Sequence, residues 1–127
     1  MKNILVIDDE KIIIDVLNRM LVRLGYNTVA TDSWRSGLRE FFDNKFDLIM
    51  LDVMMPGRNG LDIAHEMLGA HPDQKVVMIT GCGSNAVYNH MSSIGMDAIE
   101  VLFKPFTFEK VRSVITRILS NNESCYA

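Results

Sequence analysis

Five side chains would do chemistry together if the fold brought them to one place: Asp8, Asp9, Asp52, Thr80 and Lys104. Each stands at the end of a short apolar run. Ile4-Leu5-Val6-Ile7 leads to Asp8-Asp9, Leu48-Ile49-Met50-Leu51 to Asp52, Val76-Val77-Met78-Ile79 to Thr80, and the stretch from Ala98 to Phe103 to Lys104. Carboxylates held close repel one another and raise one another's pKa unless a cation intervenes. Lys104 can offset one charge and a divalent cation the rest; an all-oxygen, partly hydrated site suits Mg²⁺. The cation leaves room for an anion, to which Thr80 offers a hydroxyl donor and Lys104 a point charge. These are the components of phosphoryl transfer to Asp52, a reaction in which catalysis is mostly positioning and charge neutralisation.

The positioning elements follow from periodicity. Runs of four apolar residues closed by turn residues read as short buried strands. Between them lie helical patterns: Ile13, Val16, Leu17, Met20, Leu21 and Leu24, with Gly25 as C-terminal cap; a helix from an N-cap at Ser33 through Phe42, with Gly37 as its weak spot; Leu61, Ala64, Met67 and Leu68, ending before His71-Pro72; Val87, Met91 and Ile94, stopping at Gly95; and Val111, Val114, Ile115, Ile118 and Leu119. Tyr26 to Thr31 alternates as an edge strand. Five strand–helix alternations predict an α/β fold, a five-stranded parallel sheet doubly wound as (βα)5. In such a sheet all strand ends share one edge, and ligands bind where the winding reverses. The expected domain is 1–120, with 121–127 a flexible tail or the start of a linker.

With 127 residues, 48% of them hydrophobic and 23% charged, the chain fits one globular domain. A formal net charge of −3 and no basic stripe argue against direct nucleic-acid binding. No apolar run approaches the roughly 20 residues a membrane helix needs. The first residues turn acidic too soon for a signal peptide, which reads as a strand. Cys82 and Cys125 form neither a disulfide framework nor a ligand spacing, as expected of a reduced, cytoplasmic setting. His65, His71 and His90 have no ligand spacing, and Trp34 reads as packing.

The chain resembles the receiver domain of two-component response regulators, including the single-domain chemotaxis type, over residues 2 to about 120. The resemblance is carried by Ile-Asp8-Asp9-Glu10, Leu-Asp52-Val-Met-Met-Pro56-Gly57-Arg-Asn-Gly60, Ile-Thr80-Gly81 and Phe-Lys104-Pro105-Phe106. It implies a flavodoxin-like strand order 2-1-3-4-5 and phosphorylation of Asp52 by a sensor histidine kinase or phosphotransfer protein. Mg²⁺ would be held by Asp9, Asp52 and the main-chain carbonyl of Met54, with Asp8 acting through water. Thr80 would bond a phosphoryl oxygen, Lys104 would pair with the phosphate, and the Lys104-Pro105 bond would be cis. Such a domain is a phosphoacceptor and not an enzyme acting on other molecules. Its output would be a population shift of the face made by the fourth helix, fifth strand and fifth helix, read by a downstream protein or output domain, or by a homodimer formed on phosphorylation.

Three departures bear on mechanism. Val101 stands three before Lys104, where many receivers carry an aromatic residue; Phe103, two further on, lies on the same side of the strand by alternation. Met54 and Cys82, two past Asp52 and two past Thr80, would border the path of a hydrolytic water and cannot orient it, which predicts a long-lived phosphoryl group. Gly81-Cys82-Gly83 predicts that the loop after the fourth strand carries more of the switch than the fifth strand does. Other readings fit less well. A haloacid-dehalogenase-type phosphatase wants a second Asp at position 54, and a flavodoxin-like FMN carrier wants a phosphate loop where Asp8-Asp9 stands. A pseudo-receiver would have lost site residues, and all five are present.

Overall fold

In a computed structural model that describes residues 1–81, 84–96 and 98–124, the parallel sheet is built from β1 (Asn3–Ile7), β2 (Asn27–Thr31), β3 (Leu48–Asp52), β6 (Val76–Thr80) and β7 (Glu100–Phe103). A two-residue ribbon of β4 (Met54–Met55) and β5 (Arg58–Asn59) stands apart from it. The order β2-β1-β3-β6-β7 is the expected 2-1-3-4-5 when only sheet strands are counted. All four pairings are parallel. β3 and β6 are buried along their whole length, which is why their sequences are continuous apolar runs and not alternations.

Successive side chains of a strand point to opposite faces, and the core divides accordingly. Leu5, Ile7, Ile49, Leu51, Met78 and Val101 pack with Phe41 of α2 (Trp34–Asp43), Ile63 and Met67 of α3 (Gly60–Ala70), and Val87 and Met91 of α4 (Ser84–Ser93). Ile4, Val6, Met50, Val77, Ile79 and Leu102 pack with Leu17 and Leu21 of α1 (Lys11–Arg23), and with Val111, Val114 and Ile115 of α5 (Phe108–Ser124).

The caps agree with expectation. Ser33 Oγ accepts from Ser36 N at 3.2 Å. Gly25, at φ +92°, ends α1 in a Schellman turn, Gly25 N donating to Val22 O and Tyr26 N to Leu21 O, each at 3.0 Å. Gly37 is less a weak spot than a fitted one, since a Cβ there would meet Ile7 Cδ1 at 2.6 Å.

Three of the boundary differences stand out. β2 begins at Asn27 and not Tyr26, because the Tyr26 N–H closes the α1 cap. β7 begins at Glu100 and not Ala98, because Ile99 N donates to Met96 O in a turn (3.1 Å). α5 continues to Ser124, into the segment expected as a tail. Cys82, Gly83 and Cys125 lie outside the described residues, so the expectations placed on Cys82 and on the Gly81-Cys82-Gly83 loop have no structural counterpart. Among the described residues no helix is long and apolar enough to cross a membrane.

Candidate functional site

Strand order sets the site. The chain winds from β1 outward to β2, then returns to β3 and proceeds the other way, so the β1 and β3 ends meet at a switch point. Asp8 follows β1 and is fully buried, and Asp52 closes β3 at 3% exposure. Thr80 closes β6, also fully buried. Lys104 follows β7, its N–H still tied to Thr80 O at 2.8 Å. Asp32, after β2, is exposed and stays outside the acidic group.

The lysine is the hub. Its Nζ lies 2.7 Å from Glu10 Oε1, 3.0 Å from Asp8 Oδ2 and 3.6 Å from Asp52 Oδ2, with the Lys104 side chain 13% exposed. Asp8 Oδ1 accepts from Glu10 N at 2.8 Å, and Asp52 Oδ1 from Met54 N at 3.2 Å. Burial pushes the Lys104 pKa down, but the hydrogen bond to Glu10, the Asp8 carboxylate at 3.0 Å and the charge of Asp52 outweigh it, so the group is held above the usual lysine range. Asp52 is raised as well, which for a carboxyl favours the neutral form. Burial first, then the Asp8 charge, push its carboxyl up to about 7, against the opposing pull of Lys104 and the Met54 N–H.

Asp8, Glu10 and Asp52 offer carboxylate oxygens within 4.8 Å of one another. These carboxylates, with Asp9, which shares a cleft with Glu10 and Asp52, outnumber the single ammonium of Lys104, an excess of negative charge that a divalent cation would offset. Asp8 Oδ2, although at ion-pair distance from Lys104, is buried without a hydrogen bond. The cleft, of about 240 Å³, is lined by Asp9, Glu10, Asp52, Met54, Gly81 and Lys104. An orphaned carboxylate oxygen and an all-oxygen donor set fit a hard divalent cation. Asp9 lines this cleft but is not one of the three clustered carboxylates.

All five residues singled out from sequence come to this edge. Glu10 was missed as a site group. It partners a lysine 94 positions away, and its only sequence signal was its place in the acidic run 8–10. The Lys104-Pro105 peptide is cis, as expected. Val101 and Phe103 both pack on the α2–α3–α4 side, and the Phe103 ring meets Tyr88 of α4 edge to face at 6.1 Å.

A family model described as the response regulator receiver domain matches residues 4–116. The chain is 34% identical over 119 residues to the DNA-binding transcriptional regulator NtrC of Azospirillum brasilense, covering 94% of this chain and 24% of that protein. It is 28% identical over 122 residues to the alkaline phosphatase synthesis transcriptional regulatory protein PhoP of Bacillus subtilis, covering 96% and 50%. The chain thus spans a quarter to a half of the length of these relatives. Among solved structures, a CheY-like receiver domain protein from Methanospirillum hungatei matches with a TM-score of 0.88 at 24% identity over 98% of both chains. A receiver domain protein from Clostridium thermocellum matches at 0.85 and 29%, over 98% of this chain and 99% of that one.

Proposed function

The chain belongs to the response regulator receiver domain family, and on that premise we propose that Asp52 is its phosphoacceptor, taking the group from the phosphohistidine of a sensor histidine kinase or phosphotransfer protein. Members of this family serve two-component signalling, and phosphorylation of an aspartate is their general function. The observation that carries the assignment is the placement of Asp52: 3% exposed at the end of the central strand, yet 3.6 Å from an ammonium and lining an open cleft. An Asp52 oxygen forms the new P–O bond while the P–N bond of the phosphohistidine breaks and its imidazole keeps the electron pair. Lys104, held charged by its neighbours, pairs with the phosphoryl oxygens, and the Thr80 hydroxyl donates to another. Asp9, Asp52 and the Met54 carbonyl are the proposed Mg²⁺ ligands, with Asp8 acting through water. When bound, Mg²⁺ neutralises charge on the phosphoryl oxygens and the carboxylates. In this reading the domain promotes its own phosphorylation and dephosphorylation in the cytoplasm and acts on no other substrate.

Output passes through the α4–β7–α5 face. Thr80 pairs in register with Phe103, and Phe103 touches Tyr88, which is 43% exposed on α4. Phe103 thus stands in for the aromatic residue that Val101 replaces, connecting the Thr80 end of the sheet to a surface that a downstream protein, an output domain or a second copy reads.

A tetrahedral phosphoryl mimic tests the site without a donor. Fluoroberyllate with Mg²⁺ is expected to raise the Tm of the wild-type protein, since a ligand at a hundredfold its Kd stabilises by about 2.7 kcal/mol. Asp52→Ala should show no such rise. An equal rise in the variant would place the mimic elsewhere.

The phosphoryl group is expected to persist. Met54 is 58% exposed at the cleft and carries no group to orient an attacking water. A decay half-life of minutes or longer is expected for the phosphorylated domain by itself, shortened in Met54→Asn. A wild-type half-life of seconds would contradict this.

A further inference from the structure

The geometry points to Trp34 as a positioning residue for the cation site: it pins the turn of the β4–β5 ribbon and so fixes the Met54 main chain beside Asp52. This rests on the Mg²⁺ reading above and extends it to a residue outside the cleft.

The ribbon has two residue pairs, Met54 with Asn59 and Met55 with Arg58, too few to hold shape alone. Its root is tied to the sheet, Val53 N donating to Ile79 O at 2.8 Å and Gly60 N to Val53 O at 2.7 Å. Its turn, Pro56-Gly57, is held by a side chain from another element. Gly57 sits at φ +90°, and a Cβ there would lie 3.0 Å from Trp34 Nε1, so the turn packs against the indole edge. The Arg58 guanidinium lies over the same ring at 5.1 Å, and its Nη1 is anchored to Glu66 of α3 at 3.0 Å. Arg35 adds a second guanidinium at 4.7 Å. The indole is itself half-buried and packed on the core. One ring therefore joins the start of α2 to the ribbon turn, and through Arg58 to α3.

The other end of the ribbon is where this matters. Met54 N donates to Asp52 Oδ1, and the Met54 carbonyl is a proposed ligand of the cation. Groups that orient ligands without touching the metal contribute to its affinity. A turn freed from Trp34 lets the Met54 carbonyl leave its place while the sheet and its carboxylates stay put.

Trp34 is the single tryptophan of the chain, so its emission reports on the clamp directly. Titrating wild-type protein with MgCl2 should change that emission with the same half-saturation as calorimetric Mg²⁺ binding. Trp34→Ala should bind Mg²⁺ roughly 10-fold more weakly, at the low end of outer-shell effects. Trp34→Phe, which keeps a ring for Arg58, should recover most of the loss, and Arg58→Ala should show a smaller one. Leu38→Ala, a core contact on the same helix, should lower the urea midpoint and leave Mg²⁺ affinity unchanged. Unchanged Mg²⁺ affinity in Trp34→Ala and Arg58→Ala, or emission that ignores saturating Mg²⁺, would overturn the positioning role and leave the phosphoacceptor reading standing. Failure of the wild-type protein to bind Mg²⁺ would overturn both.

Discussion

Replacing Gly60 with alanine is expected to cost at least about 3 kcal/mol, enough to unfold much of the population of a marginally stable domain. The cause is contact and not conformational freedom. A Cβ on Gly60 would lie 1.9 Å from the Asp52 carbonyl oxygen, 2.8 Å from its carbon and 3.0 Å from Val53 Cα. All three are backbone atoms, at the end of the central strand and in the loop that leaves it. Relief would require moving either β3 or the first turn of α3, whose N–H is committed to Val53 O. Gly37 is a milder case, because the atom it would strike is the tip of the Ile7 side chain. Gly69 is the control: nothing lies within 4 Å of its Cβ position, so Gly69→Ala should be neutral or stabilising by about 0.5 kcal/mol. Urea midpoints of the three variants decide the matter, and a Gly60→Ala midpoint equal to wild type would contradict the packing described. Because Gly60 packs on Asp52 itself, partial rescue of the fold at low temperature should still leave the phosphoacceptor displaced.

Asp52→Asn is expected to stabilise the metal-free protein in mildly alkaline buffer, by an amount that shrinks as pH falls. Burial and the Asp8 charge push the Asp52 carboxyl from 3.8 up to about 7. A folded-state value above the unfolded one means that the wild type has its full stability below 3.8 and loses some as pH rises through about 7. At about 1.4 kcal/mol per pH unit, that shift sets a ceiling of roughly 4 kcal/mol; coupling to Asp8 and Lys104 brings the expected gain for Asn to about 2 kcal/mol. Asparagine keeps the shape and removes the charge. Added Mg²⁺ should close the gap by favouring the ionised carboxylate. Chemical denaturation of both proteins across this pH range, with chelator present, measures it. A gap independent of pH, or a wild type that is the more stable protein in alkaline buffer, would show that Asp52 is not strained by its charge. Its retention despite that cost is what a functional carboxylate requires.

Much of this was readable in the chain because strand ends in a parallel sheet are fixed by short apolar runs, and the chemistry sits on the residues that end them. Ser33, Gly25 and Gly95 punctuate helices by mechanisms local to a few residues, so they too were visible. Some features that escaped are local but leave no periodic signal, and others depend on contacts that only the fold makes. The β4–β5 ribbon is two residues a side and has no periodicity to detect. The first residue of β2 was lost to the Tyr26 N–H, which closes a helix cap, and the start of β7 to a turn that engages Ile99. The last turn of α5 carries Asn121 and Asn122 and no apolar signal. Glu10 looked like one acid of three until its contact with Lys104 set it apart. Trp34 read correctly as packing, but the object it packs against, a turn beside the phosphoacceptor, depends on the fold.

Everything proposed for this domain turns on whether Asp52 takes the phosphoryl group. Incubation of the protein with Mg²⁺ and a small phosphodonor such as acetyl phosphate, followed by intact-mass measurement in acid, tests it most directly. The expected result is a gain of one phosphoryl group in the wild type, mapped to the peptide containing Asp52 and absent from Asp52→Ala and from samples with chelator. No gain in the wild type, or a gain that survives Asp52→Ala, would contradict the account.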